Sequence, residues 1–298
     1  MTSLAFLILL IAAAAAPVAV PRNATLPVVS PDGRHIAYVS ERAKNAIVWI
    51  TDVEGNDRYP VSPTALSARS PSWSADSRTV TYTTSSGDTL RLWSLEIPSR
   101  EGREIWTPSR RMVFRAVAKS ARLSNDGRRV AYARGDWTRN RLVVANADGS
   151  GESAITDSSA GYFNMAWSPD DRRIAVTRVD SKRDMQVWVM NADGSEAKAL
   201  THFGKEDGSP QWPAWSPDGK TIAIQSNLHG QPGSAWIWLV DVATGKATNV
   251  TPHTDPRLDE TPSWFPDGKR LAFQSDRSGS MEVWTMAADG SDPKQLTR

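Results

Sequence analysis

The sequence predicts an all-β fold, a six-bladed β-propeller of four-stranded antiparallel blades, and three observations carry that prediction. A four-residue turn signature recurs six times along the 298-residue chain. Four residues after the Asp of each copy stands a large–small–large triplet, and a second apolar stretch, in five copies carrying Trp, follows it. A repeat near 47 residues made of short strands and tight turns closes most economically as a propeller.

The turn copies are Ser30-Pro31-Asp32-Gly33, Ser74-Ala75-Asp76-Ser77, Ser124-Asn125-Asp126-Gly127, Ser168-Pro169-Asp170-Asp171, Ser216-Pro217-Asp218-Gly219 and Phe265-Pro266-Asp267-Gly268. From Asp to Asp the intervals are 44, 50, 44, 48 and 49 residues. Pro pre-sets φ, Gly takes the left-handed conformation, and the Ser and Asp oxygens satisfy turn amides that no ladder reaches. The six Asp residues are therefore assigned to turn structure, not to catalysis.

The first strand of each blade precedes the turn and often ends in Trp, at Trp73, Trp167, Trp215 and Trp264. The second carries the triplets Ile36-Ala37-Tyr38, Val80-Thr81-Tyr82, Val130-Ala131-Tyr132, Ile174-Ala175-Val176, Ile222-Ala223-Ile224 and Leu271-Ala272-Phe273. Period-two alternation with bulk on one side and a small residue on the other describes a strand buried on both faces, approached closely by a neighbouring sheet. The third strand contains Val48-Trp49, Leu92-Trp93, Val187-Trp188, Ile237-Trp238 and Val283-Trp284, with Val143-Val144 in the third copy. Asp-Gly hairpin turns such as Asp148-Gly149, Asp193-Gly194 and Asp289-Gly290 lead into a short fourth strand. The copies fill residues 25–298 and leave no room for a second domain, and no amphipathic helical segment separates the strands, so a parallel sheet is excluded. Six complete blades imply that the ring closes by packing blade six on blade one, with no shared strand. Pro17 and Pro21 argue against residues 17–24 serving as an outer strand of the last blade.

Residues 1–20 read as a secretory signal peptide, with an uncleaved N-terminal anchor as the alternative. Leu4 to Val20 carries no charge and runs into the small residues Ala12 to Ala16. The remainder is expected outside the cytoplasm, periplasmic or secreted, touching a membrane only through residues 4–20 if these are retained. With 35 Lys and Arg against 33 Asp and Glu, a net charge of +2 speaks against a nucleic-acid-binding role. The absence of Cys removes disulfides, thiolate catalysis and Cys-ligated metals.

Stretches such as Trp215 to Ser226 and Trp264 to Gly279, each opening on Trp and the Pro-Asp-Gly-Lys turn, resemble the repeats of TolB-type propellers, which are related in style to WD repeats. The resemblance covers nearly all of residues 25–298 and implies the propeller architecture. Similar blades occur in a periplasmic Tol–Pal component, in the propeller half of prolyl-oligopeptidase-type peptidases and in sugar-acting proteins. The sequence departs from TolB itself in that its first blade follows the apolar segment almost directly, without the domain that precedes the TolB propeller. A prolyl-oligopeptidase-type hydrolase is excluded, because no G-x-S-x-G elbow appears and no residues remain for a hydrolase domain.

Alternating strand direction puts the Ser-Pro-Asp-Gly and Asp-Gly turns on one face and the longer, less regular loops on the other, where binding is expected. The binding-face candidates are Arg111, Phe114, Arg115, Trp137, Tyr162, Phe163, His202, Trp212, His229 and His253. Arg110, Arg111, Arg115, Lys119 and Arg122 occur with no acid between them. Their spacing fits one side of a helical turn suited to an acidic partner, or a solvated inter-blade loop. His202, Glu206, Asp207, His253, Asp255, Asp259 and Glu260 form the one constellation resembling an enzyme site, but the spacing matches no metal motif. No catalytic residue, metal ligand or cofactor is assigned. The reading is a monomeric, non-enzymatic propeller that binds a protein or cell-envelope component, with a saccharide-binding or saccharide-cleaving propeller as the alternative. Trp137 and Trp212 fall outside the repeat register and are the proposed exposed platform.

Overall fold

The computed structural model describes residues 23–42, 45–65, 67–87, 89–97, 110–117, 120–204, 208–227 and 234–298. The signal segment, Lys119, Glu206, Asp207 and His229 lie outside the described residues. Blade one comprises β1 (Ala24–Val29), β2 (His35–Arg42), β3 (Asn45–Asp52) and β4 (Tyr59–Pro60); blade two comprises β5 (Ala68–Trp73), β6 (Thr79–Ser86), β7 (Thr89–Glu96) and β8 (Arg110–Val117). Blade three has β9 (Ser120–Leu123), β10 (Arg129–Gly135), β11 (Asn140–Asn146) and β12 (Ser153–Ala154); blade four has β13 (Gly161–Trp167), β14 (Arg173–Val179), β15 (Met185–Asn191) and β16 (Lys198–Ala199). Blade five has β17 (Gln211–Trp215), β18 (Thr221–Ser226), β19 (Trp236–Asp241) and β20 (Ala247–Asn249); blade six has β21 (Asp259–Trp264), β22 (Arg270–Ser275), β23 (Glu282–Ala287) and β24 (Lys294–Gln295). Each blade is a four-stranded antiparallel sheet with its strands in sequence order, and no helix occurs among the described residues.

The triplets account for the packing of the ring. Ala37 faces blade two, where it joins Val48 and Ile50 against Trp73, Val80 and Tyr82, while Ile36 and Tyr38 turn the other way, toward blade six. The same division recurs around the ring. Ala131 packs with Ile174 and Val176, Ala175 with Ile222 and Ile224, and Ala223 with Leu271 and Phe273. Each interface therefore sets the small face of one blade against the bulky face of the next, which lets the sheets approach closely.

The sixth interface closes the ring. Ala272, Val283 and Leu296 of blade six pack on Ile36, Tyr38 and Trp49 of blade one. Gln274 Oε1 accepts from Leu26 N at 2.8 Å and Ser263 Oγ from Val29 N at 3.1 Å. Among the described residues no strand is shared between the first and last sheets. The glycines of the hairpins before the fourth strands have a steric reason as well: a Cβ at Gly55, Gly194 or Gly290 would run into the backbone carbonyl of Leu296, Ile155 or Val250 on the preceding blade.

The turn chemistry follows the sequence expectation. In blade one Ser30 Oγ donates to Asp32 Oδ1 at 2.6 Å, Asp32 Oδ1 accepts from Arg34 N at 3.1 Å, and His35 N donates to Ser30 Oγ at 2.9 Å. Blades two, three, four and five repeat this triad. The Ser hydroxyl bond is the foremost cause holding the carboxyls of Asp76, Asp170 and Asp218 below the ordinary aspartate value.

The Arg-rich segment is the main departure from the sequence reading. Arg110–Val117, with Arg111, Phe114 and Arg115, forms the outer strand of blade two, paired with β7 from Thr89↔Val117 to Leu95↔Arg110. It is neither a helical turn nor an inter-blade loop. Beyond their spacing, Met112-Val113-Phe114 offers the β-branched and aromatic character of a strand, and an eight-residue partner in β7 was available to pair it.

Candidate binding face and central channel

The first strands β1, β5, β9, β13, β17 and β21 converge on the ring axis. Five of them carry a bulge with a residue at positive φ: Leu26 (53°), Ser70 (52°), Asn164 (51°), Trp212 (54°) and Thr261 (49°). Pro follows four of these residues, at Pro27, Pro71, Pro213 and Pro262, and its missing N–H suits a position the ladder leaves unpaired. β9 pairs with β10 without any such shift and contains no Pro.

The first-strand Trp residues tie this inner wall together. Trp73 Nε1 donates to Val28 O at 2.9 Å, Trp167 Nε1 to Arg122 O at 3.1 Å, Trp215 Nε1 to Ala166 O at 3.2 Å and Trp264 Nε1 to Ala214 O at 3.1 Å. In every case the acceptor belongs to the preceding blade. Arg129 and Arg173, also from the preceding blade, stack on Trp167 and Trp215 at 4.7 Å.

Inside these strands lies a channel cavity of about 160 Å³, walled by small or apolar residues such as Val28, Ser72, Ala166, Ala214 and Ser263, and by Arg122 and Trp212. Trp212 is thus half-buried in the channel wall and not part of an exposed platform. Its Pro213 neighbour and the bulge in β17 turn it inward, a consequence invisible to a register count. Arg122 is separated from the other arginines of its sequence patch: it lies on the innermost strand of blade three, whereas Arg110–Arg115 lie on the outermost strand of blade two.

Above the bulges, Gln225 Oε1 accepts from Thr261 N at 2.9 Å, and the amide groups of Gln225 and Gln274 lie 3.4 and 2.8 Å from Glu260. Burial raises the Glu260 carboxyl above its ordinary value, opposed by the Gln274 hydrogen bond and reinforced by Asp276 nearby.

On the long-loop face the structure brings together Trp137 and Phe163, with ring centroids 5.9 Å apart in an edge-on arrangement. Trp137, in the β10–β11 hairpin, is 59% exposed and is the one large exposed hydrophobic among the described residues. Tyr162 and Phe163 are buried and serve mainly to pack β13. His202 is exposed.

His253 is buried, stacked on Trp236 at 5.0 Å, with Nδ1 2.8 Å from Asp255 O and Nε2 3.3 Å from Ala235 O. Asp259 is fully buried and accepts from Arg277 at 2.7 Å, with Arg257 Nε at 3.7 Å and His253 Nε2 at 3.9 Å. These groups hold the loop before β21 in place, where Ala235 N donates to Arg257 O and Asp259 N to Ala235 O, both at 3.0 Å. Both His253 nitrogens face backbone carbonyls of its own surroundings, so neither is directed at open space. No group able to hold a metal ion occurs among the described residues. Arg257 and Arg277, which complete this cluster, carry no motif that reveals them in sequence.

Comparison with known proteins fits this architecture. A TolB from Francisella tularensis, described as a Tol-Pal system protein, is 24% identical over 68% of this chain and 45% of its own length. The chain spans 23% and 45% of the length of two curated TolB sequences that it matches. The crystal structure of TolB from Acinetobacter baumannii superposes with a TM-score of 0.70 at 18% identity, over 93% of this chain and 64% of that one. An oligogalacturonate lyase in complex with manganese superposes at 0.60 with 15% identity, over 93% and 78% of the two chains. At these identities both likenesses speak for the fold. The lipoprotein LpqB β-propeller domain family matches residues 12–206, and the TolB β-propeller domain family matches residues 128–298. The latter match spans more than half of the chain, and the protein therefore belongs to the TolB β-propeller domain family.

Proposed function

We propose that this chain is an exported, non-enzymatic scaffold that recognises a protein of the cell envelope through its long-loop face. The observation that carries the reading is Trp137, a large aromatic held outward against Phe163 on an otherwise well-packed ring. Exposed Trp residues braced from behind are the usual energetic anchors of protein interfaces. Family membership and the Tol-Pal description of the TolB relatives support the envelope setting, and the apolar run from Leu4 to Val20 supports export.

The test is recovery of partners from envelope extract with the chain and with Trp137→Ala. Loss of about 2 kcal/mol at an interface anchor corresponds to recovery reduced more than tenfold. Equal recovery of the same partners by both proteins overturns the face. Export is tested by fusing residues 1–22 to a reporter active only outside the cytoplasm; a reporter silent in that fusion overturns it. The saccharide-directed alternative rests on likeness of fold to the lyase, and both nitrogens of His253, one of its two histidines, face backbone carbonyls.

A further inference from the structure

We propose that the central channel is a binding site for a small oxyanion, held by the guanidinium of Arg122. The inference is independent of the protein-binding reading. At the equivalent place on the other five first strands stand Val28, Ser72, Ala166, Ala214 and Ser263, none of them charged and none larger than Val. Arg122 is the single charged residue in the wall of the cavity. Its Nη1 donates to Pro71 O of blade two at 2.9 Å, which leans the side chain across the inner wall. That bond uses one of five N–H donors, and no carboxylate pairs with the group among the described residues.

Arg122 is half-buried, and a guanidinium partly withdrawn from water without a counter-charge is costly. Burial alone lowers its pKa, with no charged neighbour contributing. The wall around it is suited to complete an anion's coordination. Ser263 Oγ accepts from Val29 N, which leaves its hydroxyl hydrogen to donate into the cavity. The Thr261 hydroxyl, also in the wall, is buried with no partner. A half-buried Arg in one cavity with hydroxyl donors matches carboxylates and tetrahedral oxyanions through paired N–H···O bonds. The cavity, about 160 Å³, suits a small anion and its waters and lies below the ~300 Å³ at which pockets for larger ligands begin. Inorganic phosphate or sulfate and the carboxylate of a small organic acid share the required chemistry.

The experiment is calorimetric titration of the full chain, in a zwitterionic buffer of low ionic strength, with inorganic phosphate, sulfate, acetate and succinate in separate arms. Saturable one-to-one binding in at least one arm is expected, weakened at least tenfold in Arg122→Gln. The strongest arm tells a tetrahedral anion from a carboxylate. Ser72→Leu fills the channel while leaving Arg122 in place, and it is expected to abolish the same binding. It decides the matter if Arg122→Gln fails to fold. Absence of saturable binding in all four arms, or binding of equal affinity in a folded variant, overturns the site.

Discussion

Substituting Asp171 by Gly sets two stability arguments against each other with opposite signs. Gly occupies this place in four of the six turns, so a consensus argument ranks Asp171→Gly as stabilising. Asp171 has φ of +56°, like Gly219 at +68°, and relief of a left-handed non-glycine residue is worth about 1 kcal/mol. The structure supplies the larger opposing quantity. The buried Asp171 carboxylate accepts from Asn125 N and Asn125 Nδ2, each at 2.8 Å, and from Asp126 N at 2.9 Å, clamping the turn of blade four onto that of blade three. Three such bonds at about 1 kcal/mol each outweigh the backbone gain by roughly 2 kcal/mol. Urea unfolding followed by circular dichroism, together with a melting temperature lowered by about 3–4 °C, would register this. Ser77, at φ of +60°, is the internal control, because its one inter-blade bond accepts from the exposed Asp32 N at 2.9 Å. Ser77→Gly should stay within about 0.5 kcal/mol of the parent, gain and loss cancelling. An Asp171→Gly protein as stable as the parent, or more so, refutes the clamp.

Two further outcomes follow from the inner wall and the turns. Trp215→Ala removes a buried indole, its hydrogen bond to Ala166 O and its stack with Arg173, and should cost about 3–5 kcal/mol, with Trp215→Phe losing about 1–2 and exposed Trp137→Ala near zero. Similar denaturant midpoints for Trp215→Ala and Trp137→Ala would falsify the assignment of the first-strand Trp residues as inter-blade ties. The depressed carboxyls of Asp76, Asp170 and Asp218 make the unfolded chain the better proton acceptor, so their contribution is present above the unfolded aspartate value, about 3.9, and disappears as pH falls through the lower folded values. Replacing Ser74, Ser168 and Ser216 together by Ala should flatten the dependence of the urea midpoint on pH below about 4; an unchanged slope means the hydroxyls do not set those carboxyls.

The blade count and strand order were legible in sequence because each rests on a feature stamped once per repeat. Ala37, Ala131 and Ala175 announced close sheet approach, and Trp73, Trp167 and Trp215 announced inter-blade contact. The site was less legible for a physical reason: its geometry depends on where a strand bulges and which strand a segment joins. Trp212 lies beyond the repeat register yet turns into the channel through the bulge at its own position. Arg111, Phe114 and Arg115 sit seven to eleven residues before Arg122, but a chain crossing from the rim of one blade to the axis of the next carries them to the opposite edge of the wall. The signal that would have isolated Arg122 was present in comparison among copies: aligning the first strands leaves it as the one charge in a column of Val, Ser and Ala.

That comparison also locates the broken symmetry of the ring. Blade three lacks the first-strand Pro and bulge, ends its first strand in Leu123 where four blades have Trp, and carries Val143-Val144 in place of the third-strand Trp. Blade two, its neighbour, has an eight-residue outer strand where β4, β12, β16 and β24 have two. A ring built from equivalent interfaces gains nothing in packing from one blade that omits the shared ties, and departures from local rules tend to mark function. Here the departures meet at one place. β9 presents Arg122 to the channel at the place where the other first strands present Val, Ser or Ala. With Leu123 in place of Trp, no indole of blade three donates to Ser72 O. The blade least like the others is the one that gives the channel its charge.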